Sequence, residues 1–294
     1  MVRVFYSPAY TCAGPEFDTT RKARWIADSL AQSPIKGIEL VEPQPLTIEQ
    51  VSAVHDRAYV DAVRTGNPTD LAQSSGFFWD DGIWPMVTSS NGGAVAAALA
   101  ALQDGVSGSL SSGLHHARAG QGAGCCTFNG LAIAAREALN AIAKSVLILD
   151  FDAHCGGGTA SLIANDSRIS QVDVSVNPYD HYIPTDRIHL EIVDFASDYL
   201  PTIERVLAEN LSDTSEFDLC IYNAGMDPFE RSATGSLAGI TREILAERER
   251  LVFKHCRQTG TPIAFVLAGG YTESDSRQSE LVDLHRLTIE EAVI

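Results

Sequence analysis

This sequence has few basic side chains and no long apolar run. It contains 21 Lys and Arg against 38 Asp and Glu, which gives a formal net charge of −17. Such a chain repels the phosphates of nucleic acids and attracts cationic ligands, although the charge could equally serve solubility alone. The longest apolar-rich stretch, residues 92–102, is too short to span a bilayer, and the first residues lack the apolar core of a signal peptide. We therefore expect a cytoplasmic protein without membrane or nucleic-acid partners.

Cysteines with disulfide-like spacing are missing as well. The six cysteines include the adjacent pair Cys125 and Cys126, which could bridge only with strain. We therefore expect reduced thiols. Cys125, Cys126 and Cys155 could be metal ligands or redox groups, but free cysteine usually packs as a small hydrophobe, which is the interpretation that we prefer.

The sequence also lacks internal repeats, low-complexity tracts and linkers. Its 294 residues, 45% of them hydrophobic, can bury a sizeable core in one large α/β domain or two smaller ones. Because no boundary is visible, we predict a single domain over residues 1–294.

What the sequence does contain is a buried strand that ends in three polar side chains. Residues 146–159 read VLILDFDAHCGGGT, and the apolar start predicts a strand of a parallel sheet. Since side chains alternate along an extended chain, Asp150, Asp152 and His154 project to one side. Open α/β sheets bind ligands at this end of their strands, and buried carboxylates require a cationic partner. The alternative is a polar strand end with a capped turn.

Three more segments are predicted to reach the same edge of the sheet. Asp227 follows the apolar run 217–222, Tyr271 follows the run 262–267, and His115 and His116 lie in a glycine-rich loop. Two carboxylates and an imidazole suit a divalent metal such as Zn²⁺. A nearby histidine can then act as general base and a tyrosine hydroxyl as oxyanion donor. These parts together predict metal-assisted amide hydrolysis.

Two segments outside this edge carry weaker signals. Thr47 and Gln50 resemble a capping box, which predicts a helix running through His55; we interpret this histidine as structural. Residues 66–85 predict a long, irregular loop with exposed aromatic side chains. Its acids, Asp80 or Asp81, could hold a substrate amide or could simply be solvated.

The ordered set of motifs resembles the zinc-dependent histone deacetylases and their acetylpolyamine amidohydrolase relatives, which share an arginase-like fold. The resemblance covers roughly residues 90–275. Within the family, the residues of these motifs are most similar to those of the class IV branch. The segments that carry it are Gly113-Leu114-His115-His116, Cys126-x-x-Asn129, Leu149-Asp150-Phe151-Asp152-Ala153-His154, Asn223-Ala224-Gly225-Met226-Asp227 and Gly269-Gly270-Tyr271. The family implies a mainly parallel central sheet with helices on both faces.

The resemblance also implies the metals and the substrate. Asp152, His154 and Asp227 would hold Zn²⁺. A structural monovalent cation, K⁺, would bind through backbone carbonyls near Asp150, Asp152 and His154. The substrate would be an acylated lysine, an acylated polyamine or another small acyl-amine, and the reaction removal of an acetyl or longer acyl group.

The remaining roles implied by the family are catalytic. His116 would be the general base, and His115 would pair with Asp150 as its electrostatic partner. Tyr271 would polarise the acyl carbonyl and stabilise the oxyanion.

Three positions depart from the family pattern. Cys155 follows the metal-binding histidine where relatives have His, Asn or Gln. Gly157 stands where relatives carry an Asp or Asn as partner of the second histidine, so we expect His116 to be less well oriented. Cys125 replaces a channel-lining Phe of many members, which predicts a wider or reshaped acyl channel.

Two other functions remain open at this point. A binuclear manganese ureohydrolase of the arginase type shares the implied fold, but it needs additional bridging carboxylates. A catalytically silent member that binds acyl-lysine is the other alternative, motivated by Cys155 and Gly157.

Overall fold

The structure is a computed structural model that describes residues 1–14, 18–211, 217–272 and 277–294. The strands in this part of the chain are β1 (Val2–Phe5), β2 (Ile38–Val41), β3 (Val106–Ser109), β4 (Val146–Asp150), β5 (Ile169–Ser175), β6 (Ile188–Ile192), β7 (Leu219–Gly225) and β8 (Ile263–Ala268). They form one sheet in the order β2-β1-β3-β8-β7-β4-β5-β6, and each pairing is parallel. The predicted parallel sheet is therefore confirmed.

Helices connect the strands and cover the sheet on both faces. Those in the described residues are α1 (Asp18–Gln32), α2 (Ile48–Ser52), α3 (Arg57–Thr65), α4 (Thr69–Ala72), α5 (Ile83–Asp104), α6 (Gly130–Ala141), α7 (Gly157–Ile163), α8 (Ala196–Asn210), α9 (Arg242–Thr259) and α10 (Gln278–Glu291). None of these helices combines the length and the apolar character that a membrane span requires.

The hydrophobic core lies in two layers, one on each side of the sheet. Leu147 and Leu149 of β4 pack into a cluster with α1, α8, α9 and α10. Val146 and Ile148 of the same strand point the other way and pack with α3, α5 and α6. A strand covered on both faces must be apolar at every position, which explains its unbroken apolar run.

The capping box at the start of α2 is confirmed. Gln50 N donates to Thr47 Oγ1 at 3.3 Å, and Thr47 N donates to the Gln50 side chain at 3.0 Å. The predicted continuous helix through His55 is wrong, because α2 and α3 are separate helices. His55 lies in the turn between them, where Nδ1 donates to Arg118 O at 2.8 Å and Nε2 accepts from Asn129 N at 3.0 Å. Both ring nitrogens are thus used in structure.

The segment 66–85 is more ordered than its sequence predicts. It contains α4, and α5 begins within it. Of its predicted exposed aromatics only Phe78, at 85% exposure, is open to solvent; Phe77 is buried, and Trp79 donates Nε1 to Val63 O at 2.7 Å. Aromatic side chains thus anchor this segment to the helices around it.

The topology decides where polar side chains meet. Because the strands are parallel, their carboxyl ends lie along one edge of the sheet, and β4 is flanked by β7 and β5. Side chains that follow these three strands are therefore brought together.

Candidate metal centre and catalytic site

Asp152, His154 and Asp227 meet just beyond the ends of β4 and β7. Their ligand atoms all lie within 4.8 Å of one another. His154 Nδ1 is 3.1 Å from Asp152 Oδ1 and 3.1 Å from Asp227 Oδ2. Gly225 permits this approach, because a Cβ there would lie 2.4 Å from Asp152 Cα. The chain thus gathers two carboxylates and an imidazole from two neighbouring strands.

The electrostatics of this cluster call for a cation. All three side chains are buried, and Asp227 Oδ2 lies close to His154 Nδ1 but accepts no well-aligned hydrogen bond from the described residues. Burial and the charge of Asp152 raise the pKa of Asp227 to about 6. Burial opposes a charge on His154, but the Asp152 and Asp227 carboxylates prevail and raise its pKa to about 10. Two carboxylates around one imidazole, with an unsatisfied oxygen, fit a divalent metal.

His115 and His116 lie beside this cluster and face each other. Leu114 before them has a φ of 55°, so the loop is irregular and adjacent side chains can converge. The two Nε2 atoms are 3.1 Å apart, and His115 Nδ1 lies 2.8 Å from Asp150 Oδ2. Although burial lowers it, the charges of Asp150 and Asp152 raise the pKa of His115 to about 10. Burial and the charge of His115 lower the pKa of His116 to about 4.

His116 also has a carboxylate partner, contrary to our expectation from Gly157. Its Nδ1 lies 3.0 Å from Oδ2 of Asp180, a residue of the loop between β5 and β6. Burial raises the pKa of this carboxyl, but hydrogen bonding to His116 and the charges of His116 and Arg118 lower it below its usual value. The expectation that His116 is poorly oriented is therefore wrong, because the missing partner is supplied by another loop.

Tyr271 lines the same cavity as His116 and His154. The turn after β8 directs it there through Gly269 and Gly270, with φ values of 52° and 80° that favour glycine. The Tyr271 amide donates to Ser232 Oγ at 3.3 Å, and Tyr271 O accepts from Ala233 N at 3.1 Å, which holds the backbone in place.

The cavity has a volume of about 380 Å³, within the range of small-molecule sites. The Tyr179 ring forms part of its wall and packs edge-on against His116 and His154, with centroids 5.0 and 6.0 Å away. Its lining residues are His116, Gly124, Cys125, His154, Asn177, Tyr179, Thr234 and Tyr271. The metal ligand His154, the candidate base His116 and the candidate oxyanion donor Tyr271 thus line one cavity that is open to a substrate.

The cysteines of the described residues are all free thiols. Burial and the charge of Asp173 raise the pKa of Cys155 to about 12, so this thiol stays protonated. Cys125 lines this cavity and also a second cavity of about 30 Å³. These environments favour the interpretation of Cys155 as a packing residue and of Cys125 as part of the cavity wall.

Some site residues escaped the sequence interpretation. Asp180, Asn177 and Thr234 lie in loops whose sequence shows no metal-site or catalytic spacing, so the sequence alone did not single them out. Asp80 does not line the cavity: its carboxylate accepts from Gly82 N at 2.7 Å. Neither Asp80 nor Asp81 is among the lining residues, so the role suggested for them in holding a substrate amide stays a prediction.

Comparison with known proteins assigns the chain to a family. Residues 17–285 match the model of the histone deacetylase domain. An uncharacterized protein of Picosynechococcus sp. is 31% identical over 280 residues, which cover 92% of this chain and 92% of the relative. Histone deacetylase 2 of Arabidopsis thaliana is 24% identical over 296 residues, which cover 94% of this chain and 76% of that protein.

Among solved structures, acetylpolyamine aminohydrolase from Burkholderia pseudomallei has the same fold. Its TM-score is 0.80 at 20% identity, with 99% of this chain and 98% of that chain covered. Such low identity supports the fold alone. Because the family model matches most of the sequence, this protein belongs to the histone deacetylase family.

Proposed function

We propose that this protein removes acetyl or longer acyl groups from lysine side chains, polyamines or similar amines, with zinc as its metal. Family membership makes it a metal-dependent hydrolase of the deacetylase type. The observation that carries the proposal is the buried Asp152, His154 and Asp227 cluster beside a cavity that His116 and Tyr271 also line.

Asp152, His154 and Asp227 would hold the zinc ion. When bound, such a cation polarises the acyl carbonyl and makes water more acidic. A monovalent cation, K⁺, near Asp150 remains part of the proposal. In its support, Asp173 of β5 pairs in register with Asp150, and burial together with the Asp150 charge raises the pKa of Asp173 well above normal; a nearby cation would offset the cost of two adjacent buried carboxylates.

His116 would accept a proton at Nε2 from the water that attacks the acyl carbon. Its Nδ1 donates to Asp180, so Nε2, which lies 3.1 Å from His115 Nε2, is the basic nitrogen of the neutral ring. His115, held by Asp150, would face this nitrogen and set its orientation. The proton would then pass to the leaving amine as the carbon–nitrogen bond breaks.

Tyr271 would donate its hydroxyl hydrogen bond to the oxygen that becomes negative as water adds. A donor of this kind contributes to the rate only as charge develops, so its removal lowers kcat more than it changes substrate binding.

The cavity and the overall charge support the choice of substrate. A cavity of about 380 Å³ accommodates an acyl chain, and Cys125 in its wall leaves more room than a Phe would. The net charge of −17 attracts cationic polyamines and lysine-rich peptides. Membership of the class IV branch and a cytoplasmic location complete the proposal.

The test is a substrate panel with the zinc-loaded protein: an acetyl-lysine peptide, a longer acyl-lysine peptide and an acetylpolyamine. Replacing Tyr271→Phe should lower kcat by about 100- to 1000-fold without loss of zinc. Tyr6→Phe, a half-buried tyrosine outside the cavity, is the matched control and should keep full turnover. Loss of zinc in Tyr271→Phe would contradict its role.

Metal counting and assays with excess enzyme address the two alternatives. The described residues contain a single three-residue metal cluster, whereas an arginase-type enzyme needs two metals. Two manganese ions per chain with hydrolysis of a guanidinium substrate would replace the proposal. A zinc-loaded protein that cleaves no acyl amide even in excess would make it a silent binder.

A further inference from the structure

The loop that supplies Asp180 is attached to the turn after β4. Cys155 N donates to Tyr179 O at 3.0 Å, and Tyr179 N donates to Asn177 Oδ1 at 2.9 Å. Asp180 itself has a φ of 59°, a left-handed conformation that aspartate tolerates better than most side chains. The backbone is therefore bent at the residue whose side chain reaches His116.

Both oxygens of the Asp180 carboxylate are used. Oδ2 accepts from His116 Nδ1 at 3.0 Å and from Gly158 N at 3.0 Å, while Oδ1 accepts from Arg118. Its side chain is only 9% exposed, so these bonds are largely shielded from water. Because both of its oxygens are held by hydrogen bonds, the Asp180 carboxylate can hold the His116 ring in one orientation.

Gly157 and Asp180 fit together as a pair. A Cβ at position 157 would lie 2.2 Å from Asp180 O, 2.7 Å from its Oδ1 and 2.9 Å from its Cγ. The first of these atoms belongs to the backbone and cannot rotate away. A side chain at 157 and the observed position of Asp180 therefore exclude each other.

We propose that Asp180 is the positioning residue of the general base His116. We further propose that the absence of a side chain at Gly157 leaves the room that Asp180 needs to reach His116. This inference rests on the proposed function, since it concerns the residue that orients His116, the general base of that reaction. Asp180 does not line the cavity, so it acts through His116 and not on the substrate.

The main test compares Asp180→Gly with Asp186→Gly, an exposed aspartate of the same loop. Glycine is suited to the positive φ at 180, so the variant removes the carboxylate without adding backbone strain. We expect kcat to fall about 100-fold, within the contribution of a general base, with KM and bound metal unchanged. Asp186→Gly should keep kcat within about twofold, as surface changes usually do.

Two further variants separate positioning from simple loop anchoring. Asp180→Asn keeps an acceptor for His116 and should lose less than about tenfold, because a neutral acceptor still orients the ring. Arg118→Ala removes the contact to Asp180 Oδ1 but keeps the bond from His116 to Oδ2, and kcat should fall by less than about tenfold. Anchoring alone predicts that Arg118→Ala loses as much kcat as Asp180→Gly, since the loop contact is broken in both.

The outcomes are distinct from those of the proposed function. If the natural sequence cleaves acyl amides and Asp180→Gly has normal kcat, the inference is overturned and the function stands. If Asp180→Gly does not fold by circular dichroism, the Asp180→Asn variant decides: a kcat loss as large as that of His116→Ala overturns the positioning role. A natural protein without any turnover overturns both.

Discussion

His115 takes its carboxylate from a strand, whereas His116 takes its carboxylate from a loop. Asp150 is fully buried at the end of β4, and Asn223 Nδ2 of the next strand donates to it at 2.7 Å. Asp180 depends on a bent loop and on the half-exposed Arg118. The two pairs are 3.1 Å apart at their Nε2 atoms, yet the carboxylate of one belongs to a core strand and the carboxylate of the other belongs to a loop.

The pair of His115 and Asp150, whose carboxylate lies on a strand, should therefore contribute more to stability than the pair of His116 and Asp180. Asp150→Ala leaves a buried His115 and the Asn223 amide without their acceptor. We expect the free energy of unfolding to fall by about 3–5 kcal/mol, the usual result of breaking a buried pair. Chemical denaturation measures it. Glu191→Ala, which breaks an exposed ion pair with Arg205, should cost less than about 1 kcal/mol, and equal losses would erase the distinction.

Metal removal should lower the stability of the protein, because the metal ligands follow the buried strands β4 and β7. Without a cation, the carboxylates of Asp152 and Asp227 remain buried beside each other. For a metal previously present at 100 times its Kd, chelation should lower the free energy of unfolding by about 2.7 kcal/mol. Calorimetry gives the change in Tm, and zinc should restore it. An unchanged Tm after verified metal loss would contradict a bound metal at this position.

A methyl group at position 157 directly tests the pair of His116 and Asp180. Gly157→Ala forces Asp180 away from its backbone position, so we expect a loss of about 1–3 kcal/mol in unfolding free energy, typical of overpacking, and reduced kcat. Ser161→Ala, on an exposed position of α7, is the control and should stay within about 0.5 kcal/mol. Normal kcat in Gly157→Ala would mean that His116 does not depend on Asp180.

The smallest expected effect concerns the length of the acyl chain. The substitution should leave both histidine–aspartate pairs intact. Cys125→Phe fills part of the cavity wall. We expect kcat/KM for a long acyl chain to fall about tenfold, or about 1.4 kcal/mol in the barrier, while acetyl substrates change little. Cys125→Ser preserves the volume and should preserve the acyl preference. A uniform loss for both substrates would indicate damage to the pairs instead.

The difference between strand and loop also explains what the sequence could predict. The β4 strand and its polar end follow from an unbroken apolar run and an alternating Asp, Asp and His, which are local signals. β2, β3 and β6 escaped prediction because they are short or polar: β3 reads Val-Ser-Gly-Ser and owes its place to pairing with β1 and β8. Pairing partners are not visible in a local pattern.

Asp180 was missed for a related reason. Its role depends on the space above Gly157, which lies 23 positions earlier in the sequence (180 − 157) and is adjacent only after folding. Read alone, Gly157 indicates a lost partner. In the folded chain, Asp180 occupies the space that Gly157 leaves, so the partner has been exchanged and not lost.

The parallel sheet has a consequence for how relatives of this protein are compared. Since every loop after a strand opens at the same edge, a functional group lost from one alignment column can be restored from another column that shares no sequence position with it. A comparison made column by column would count this chain as lacking the partner of its second histidine and would class it as inactive. Pairs of columns, scored for Gly157 together with Asp180, are the appropriate unit for sorting active from silent members.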